Sequence, residues 1–151
     1  MGHSLLCNTQ VGEASTDQPV FSSCCVVECS ALHHARVYSG SHNKCIYCWN
    51  EYLGLEWKTE LDSEVYSTPC HCNVQIQNHT SKSTSQDYVP CICACSTGGY
   101  VYVLCAGCGR ALGSLKLPWD IFSSPVAIDN NIVVGCRDNN VYCIETNISE
   151  S

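Results

Sequence analysis

The chain has 151 residues, 45% of them hydrophobic and 14% charged, with a formal net charge of −7. Its seven basic residues are scattered from Arg36 to Arg137, which excludes a nucleic-acid partner, because phosphate-backbone affinity comes from neutralising Lys and Arg. No apolar run reaches the roughly 18 residues of a membrane span, and the one compositional outlier is cysteine, 15 in number.

Residues 1–20 mix polar residues with Gly12 and Pro19 and show no period, so they read as a disordered lead-in. Met1 to Cys7 has no basic start and too short an apolar run for a signal peptide. The expected compartment is therefore the reducing cytosol, with free thiols. Asn78-His79-Thr80 and Asn147-Ile148-Ser149 then match the glycosylation pattern only by chance.

A first unit spans about 21–64. Phe21 to Glu28 is strand-like, with His33 and His34 in the loop that follows. Val37 to Gly40 is a second strand, Ser41 to Lys44 a turn, and Cys45 to Trp49 a third strand. Gly54 to Leu61 gives a turn and a fourth. A second unit spans about 65–120. Cys70, Cys72, Val74 and Ile76 alternate with His71, Asn73, Gln75 and Gln77, the period of a half-buried strand. Asn78 to Asp87 is polar and patternless and reads as a loop insertion. Pro90 precedes the strand Cys91 to Cys95, Ser96-Thr97-Gly98-Gly99 is a hairpin turn, and Tyr100 to Ala106 returns. The third unit, 121–145, turns at Asp129-Asn130-Asn131 and again at Arg137 to Asn140. It stops one strand early, leaving 146–151 as a tail. No helix is expected.

The units are copies. Phe21-Ser22-Ser23, Tyr66-Ser67-Thr68 and Phe122-Ser123-Ser124 open them, about 45 and 56 residues apart. A period of roughly 40–50 residues built from short strands predicts propeller blades. Three blades cannot close a ring, because propellers have typically 4–8. The expected fold is all-β: a partial β-propeller of about three four-stranded antiparallel blades, the last incomplete.

Val37-Tyr38-Ser39-Gly40-Ser41, Ile46-Tyr47-Cys48-Trp49 and Gly54-x-x-Trp57 resemble the PQQ-like, quinoprotein-type propeller repeat. Residues 133–144 fit it too, while the second unit departs from it with Cys95 at the usual Gly and Leu112 at the Trp57 position. The segment Asp120 to Pro125 with Asn131 to Cys143 resembles the C-terminal propeller of the beta-alanine-activating enzyme family. That family joins an ATP-dependent acid-activating domain, a phosphopantetheine carrier domain and a propeller. No adenylation phosphate loop and no carrier Gly-Gly-x-Ser site occurs in this sequence. The resemblance thus implies a non-catalytic propeller fragment, an accessory or interaction domain whose partners are the rest of the propeller or other protein domains.

Two other readings stand beside it. One is a PQQ- and Ca²⁺-dependent dehydrogenase domain, suggested by Cys24-Cys25. The repeat places Cys25 level with Cys70 and Val126, an ordinary small strand position, and Glu28, Asp62, Glu64, Asp120, Asp129 and Asp138 fall at scattered strand ends and turns. The other is a zinc-stabilised module, suggested by Cys45-x-x-Cys48 and Cys105-x-x-Cys108. Cys45 and Cys48 lie within one strand, where an i, i+3 pair points to opposite faces. Cys105-Ala106-Gly107-Cys108 is turn-like, so Cys105 and Cys108 are the better metal candidates. No catalytic, cofactor-binding or metal site is expected, and no cofactor. Trp49, Trp57 and Trp119 are expected to brace the packing between blades.

Overall fold

The computed structural model describes residues 9–29, 34–77 and 87–149. The polar stretch 78–86, His33 and residues 1–8 lie outside them. Strands β1 (Cys25–Cys29), β2 (His34–Gly40), β3 (Cys45–Asn50) and β4 (Leu55–Glu60) form an antiparallel meander. A second meander runs through β5 (Cys70–Gln77), β6 (Tyr88–Cys95), β7 (Tyr100–Cys105) and β8 (Ala111–Lys116). The third has β9 (Val126–Ile128), β10 (Asn131–Gly135) and β11 (Val141–Glu145). A last strand, β12 (Asn147–Ser149), leaves the third sheet and pairs in parallel with Gln75 to Gln77 of β5, making that sheet five-stranded. β5 touches β1 on one side and β9 on the other, so the first strands of the three sheets share one axis. The molecule is all-β and a partial propeller, and no helix forms among the described residues.

Two cores hold the sheets together. One face of the middle sheet carries Cys72, Val74, Cys91, Cys93, Cys95 and Val101, packed on Ile132, Val134 and Cys136 of the third sheet. The other carries Ile92, Ala94 and Leu104, packed on Tyr38, Ile46, Cys48 and Trp57 of the first. The strand β6 is therefore buried on both faces from Cys91 to Cys95. Small residues suit it, because sheets pack only about 10 Å apart and free Cys behaves as a small hydrophobe. Cys45 and Cys48 do point to opposite faces, since Cys45 packs with Tyr47 and Trp49 while Cys48 packs with Tyr38 and Trp57.

The repeat is visible at the level of single hydrogen bonds. The N–H groups of Ser41, Ser96 and Cys136 donate to the carbonyls of Cys45, Tyr100 and Asn140 at 3.0, 3.0 and 2.9 Å. Each turn places one residue in the left-handed region: Lys44 at φ 70°, Gly99 at 84° and Asn139 at 70°. Each opening serine clasps the end of the second strand. Ser22 Oγ donates to Gly40 O and accepts from Gly40 N–H, Ser67 does the same with Cys95, and Ser123 Oγ donates to Gly135 O. The connectors are also tied to one another. Ser23 N–H donates to Thr68 Oγ1 at 3.0 Å, and Thr68 N–H donates to Ser124 Oγ at 2.8 Å. Phe21, Tyr66 and Phe122 form an aromatic column, with centroids 5.0 and 5.3 Å apart.

Some expectations shift. The first strand starts at Cys25, because Phe21 to Cys24 serve as this connector. His34 opens β2 rather than lying in a loop. Trp49 and Trp57 are buried, but Trp119 is 62% exposed and braces no seam. Residues 9–20 have no regular secondary structure, yet Thr16 is buried, its carbonyl accepting from Asn43 Nδ2 at 2.6 Å and from the Tyr47 hydroxyl at 3.3 Å.

Candidate functional site

Pro90 sits inside β6, where it cannot donate to a ladder. The register that pairs Cys91 with Cys105 would next pair Pro90 with Ala106, and Ala106 N–H does donate to Pro90 O at 3.0 Å. The return bond has no donor. Two side chains of the first sheet take its place: Tyr38 Oη donates to Ala106 O at 3.2 Å and Trp57 Nε1 at 3.1 Å. A proline in one strand thus frees a buried carbonyl that bolts two sheets together.

This bolt forms the floor of a cavity of about 560 Å³ at the seam of the first and second sheets. The volume lies in the ~300–1,000 Å³ range of small-molecule sites. Its polar wall is Arg36, Glu56, His34, Glu51 and His71, with Tyr38, Pro90 and Ala106 beneath. Arg36 Nε donates to Glu56 Oε2 at 2.6 Å, and His34 Nδ1 lies 3.3 Å from Glu51 Oε1. β2 and β4 place the first pair side by side, because Arg36 and Glu56 flank β3 on the same face.

Burial would lower the Arg36 guanidinium, but the Glu56 carboxylate outweighs it and leaves Arg36 raised. Burial pushes the Cys48 thiol up to about 12, helped by Glu56, whose Oε2 is 3.8 Å from Cys48 Sγ. Burial, with the neighbouring Cys48, raises the Tyr38 hydroxyl as well. Burial lowers His71, which keeps its imidazole neutral at physiological pH. His71 alternates away from Cys70 and Cys72 as its spacing predicts, and it meets this cavity on that side. The wall thus carries two charge pairs, Arg36 with Glu56 and His34 with Glu51, over a largely apolar floor. Among the cavity's described lining residues there is no Ser, Thr, Cys or Lys. Sequence reasoning missed it, because its parts come from β2, β4, β5 and β6, and only the misplaced Pro90 signalled it.

The two metal candidates, Cys105 and Cys108, come together on the turn after β7, directly beside the bolt. Gly109 N–H closes that turn on Cys105 O at 2.8 Å. Gly109 has φ 75°, and an added Cβ would lie 2.4 Å from the Trp57 ring, so only glycine fits there. Partial burial pushes the Cys105 thiol up. The Cys108 and Gly107 N–H groups, the Cys108 thiol and Arg110 outweigh this and leave it below its ordinary value. Among the described residues no group of three or more His, Cys, Asp or Glu is arranged to hold a metal. Cys24 is exposed and Cys25 half-buried, and both are free thiols.

No family model matches the chain. Over 142 residues, 94% of the chain, it is 36% identical to the beta-alanine-activating enzyme of Homo sapiens. The enzyme of that name from Mus musculus is 34% identical over the same length. The chain is a partial β-propeller that resembles this enzyme. It spans 12% of the length of these two relatives. Among solved structures, BamB from Moraxella catarrhalis superposes with a TM-score of 0.60 at 12% identity, over 90% of this chain and 36% of BamB. The WD40 β-propeller domain of Doa1 gives 0.53 at 19% identity, over 72% of this chain and 32% of that domain. Both likenesses concern the fold. No helix of the described residues is long and apolar enough to cross a membrane.

Proposed function

We propose that this chain is the non-catalytic propeller portion of a beta-alanine-activating-type protein, acting as an accessory or interaction domain. ATP-dependent activation of the acid and its loading on a phosphopantetheine carrier would belong to other parts of such a protein. The carrying observation is the alignment itself: similarity runs through 94% of this chain and 12% of the human relative. The repeat is proposed to be of the PQQ-like type, with blades at about 21–64, 65–120 and 121–145. The seam cavity, with Arg36 facing Glu56, is where a small polar ligand would be read. A reducing, cytoplasmic setting accords with the free thiols of the cores.

The test is pyrophosphate exchange with beta-alanine and ATP. The purified chain is expected to give none above a buffer blank, while the full-length human relative gives a signal. Exchange by the chain alone would overturn the proposal. So would loss of exchange when the propeller region alone is deleted from a relative that still folds.

A further inference from the structure

Most of the cysteines between the sheets are locked away: Cys48, Cys72, Cys91, Cys93 and Cys95 are all buried. Cys105 and Cys108 differ in three respects. They are accessible, Cys105 half-buried and Cys108 exposed. They face one another across a single tight turn, with the Cys105 sulfur passing 3.8 Å from where a Gly107 Cβ would stand. The turn is also held from every side. Cys105 N–H donates to Arg110 O and Gly109 N–H to Cys105 O, both at 2.8 Å. Thr59 Oγ1 donates to Gly109 O at 2.6 Å, and Ala106 O is held by Tyr38 and Trp57. Residues three apart across such a turn have Cα atoms under about 7 Å apart, which is within reach of a disulfide.

We propose that Cys105-Ala106-Gly107-Cys108 is a redox-active dithiol that exchanges with low-molecular-weight disulfides and closes to a Cys105–Cys108 disulfide. Cys105 is the attacking sulfur, because the backbone N–H groups of Cys108 and Gly107 donate to it and Arg110 adds a smaller favourable charge. The Cys105 thiolate, having lost its proton to solvent, displaces one thiolate from an external disulfide. This forms a mixed disulfide on Cys105, and the released thiolate takes up a proton. Cys108 then loses its proton and attacks the Cys105 sulfur. The second external thiol leaves and the internal disulfide closes. The protein dithiol gives up two electrons, and the external disulfide is reduced to two thiols. Cys108 is the resolving sulfur because it stands at the other end of the same turn, where it can reach the Cys105 sulfur. Closure occurs beside Ala106, so the seam cavity lies next to the redox site.

The purified chain is incubated at neutral pH with glutathione disulfide, and the remaining thiols are alkylated and mapped by peptide mass spectrometry. The expected product is a Cys105–Cys108 disulfide formed about tenfold faster than any modification of the exposed Cys24 or Cys143. In Cys108→Ser the reaction halts at the mixed disulfide on Cys105. In Cys105→Ser, Cys108 reacts no faster than Cys143. Iodoacetamide rates on the wild-type chain give an independent measure, with Cys105 expected to be trapped before Cys143. The proposal is overturned if Cys105 and Cys108 remain thiols while Cys24 and Cys143 are glutathionylated. It is overturned equally if Cys108→Ser accumulates no adduct on Cys105.

Discussion

The carbonyl freed by Pro90 makes a sharp prediction about energetic coupling. Ala106 O is buried and accepts from both Tyr38 and Trp57. In Tyr38→Phe the Trp57 bond still satisfies the carbonyl, so the cost is one net hydrogen bond, about 0.5–1.5 kcal/mol. In Trp57→Phe the Tyr38 bond remains, and the added loss is packing of the smaller ring, about 1–2 kcal/mol. In the double variant the carbonyl keeps no donor, which adds a desolvation penalty of about 1–3 kcal/mol. The two changes should therefore be non-additive, with a coupling of about 1–2 kcal/mol in a double-mutant cycle. A third change tests the cause. Pro90→Ala restores the missing ladder donor, so in the double-variant background it should recover about 1 kcal/mol or more, the worth of a satisfied buried carbonyl. In the wild-type background it should be neutral or destabilising. Urea unfolding followed by far-UV circular dichroism measures all six proteins, the wild type included. Additive losses, or a Pro90→Ala change that rescues nothing, would refute the account of this seam.

The serine clasps predict a ranking: Ser67→Ala leaves both the N–H and the C=O of buried Cys95 unpaired and should cost about 2–4 kcal/mol, whereas Ser123→Ala breaks one exposed bond and should cost under about 1 kcal/mol. Equal urea midpoints for the two would contradict the clasp reading. Gly40→Ala should destabilise by about 1–3 kcal/mol, because the new Cβ would fall 2.2 Å from Val65 Cγ1, while Gly135→Ala, with Ser123 Oγ at 3.3 Å and Ser123 Cβ at 3.7 Å, should be close to neutral in the same assay. Burial raises the Cys48, Cys72 and Cys91 thiols from 9.0 to about 12. A raised folded value means the contribution is whole below pH 9 and is lost as pH climbs from 9 toward 12, so the urea midpoint should fall between about pH 8 and pH 10. An unchanged midpoint over that interval would show that these thiols are not protected.

What could be read from the sequence is what repeats locally. Turns at 96–99 and 137–140 are written in residues that accept left-handed backbone, Gly99 and Asn139, whereas Lys44 in the first turn gives no such signal, and alternation from Cys70 to Ile76 fixes which side chains enter the cysteine-rich core. Connectors were harder. Phe21-Ser22-Ser23 looks like the start of a strand because Phe21 is a strand former and the segment runs straight into Cys24 to Val27, and only the clasp on Gly40 and the bond to Thr68 show that it is a joint. The seam cavity was not legible for a different reason. Arg36, Glu56 and His71 are unremarkable in their own strands and gain meaning only when two sheets meet. The parallel pairing of β12 with β5 has no local signal at all, since Asn147 to Ser149 carries no pattern that specifies a partner.

The two ends of the sheet stack are finished differently, and the repeat explains how. Pro19 O accepts from His42 N–H as Glu64 O accepts from Thr97 N–H and Asp120 O from Arg137 N–H. Residues 16–19 therefore occupy the place that 61–64 and 117–120 occupy before the later sheets: they are a connector in the same register. Continuing across the first sheet, they cover Tyr47, which stacks on Trp49 with centroids 5.2 Å apart, and Gly12 approaches Leu53. The outer face of the third sheet has no such cover among the described residues. Val126, Ile128 and Val141 stand more than half exposed there, beside the exposed Cys143. An apolar sheet face of this kind is what one propeller blade presents to the next. A further sheet set on it, with its own aromatic–Ser–Ser connector, would extend the Phe21, Tyr66, Phe122 column by one ring and the Ser23, Thr68, Ser124 chain by one bond. That continuity of register supports placing the chain within a longer propeller.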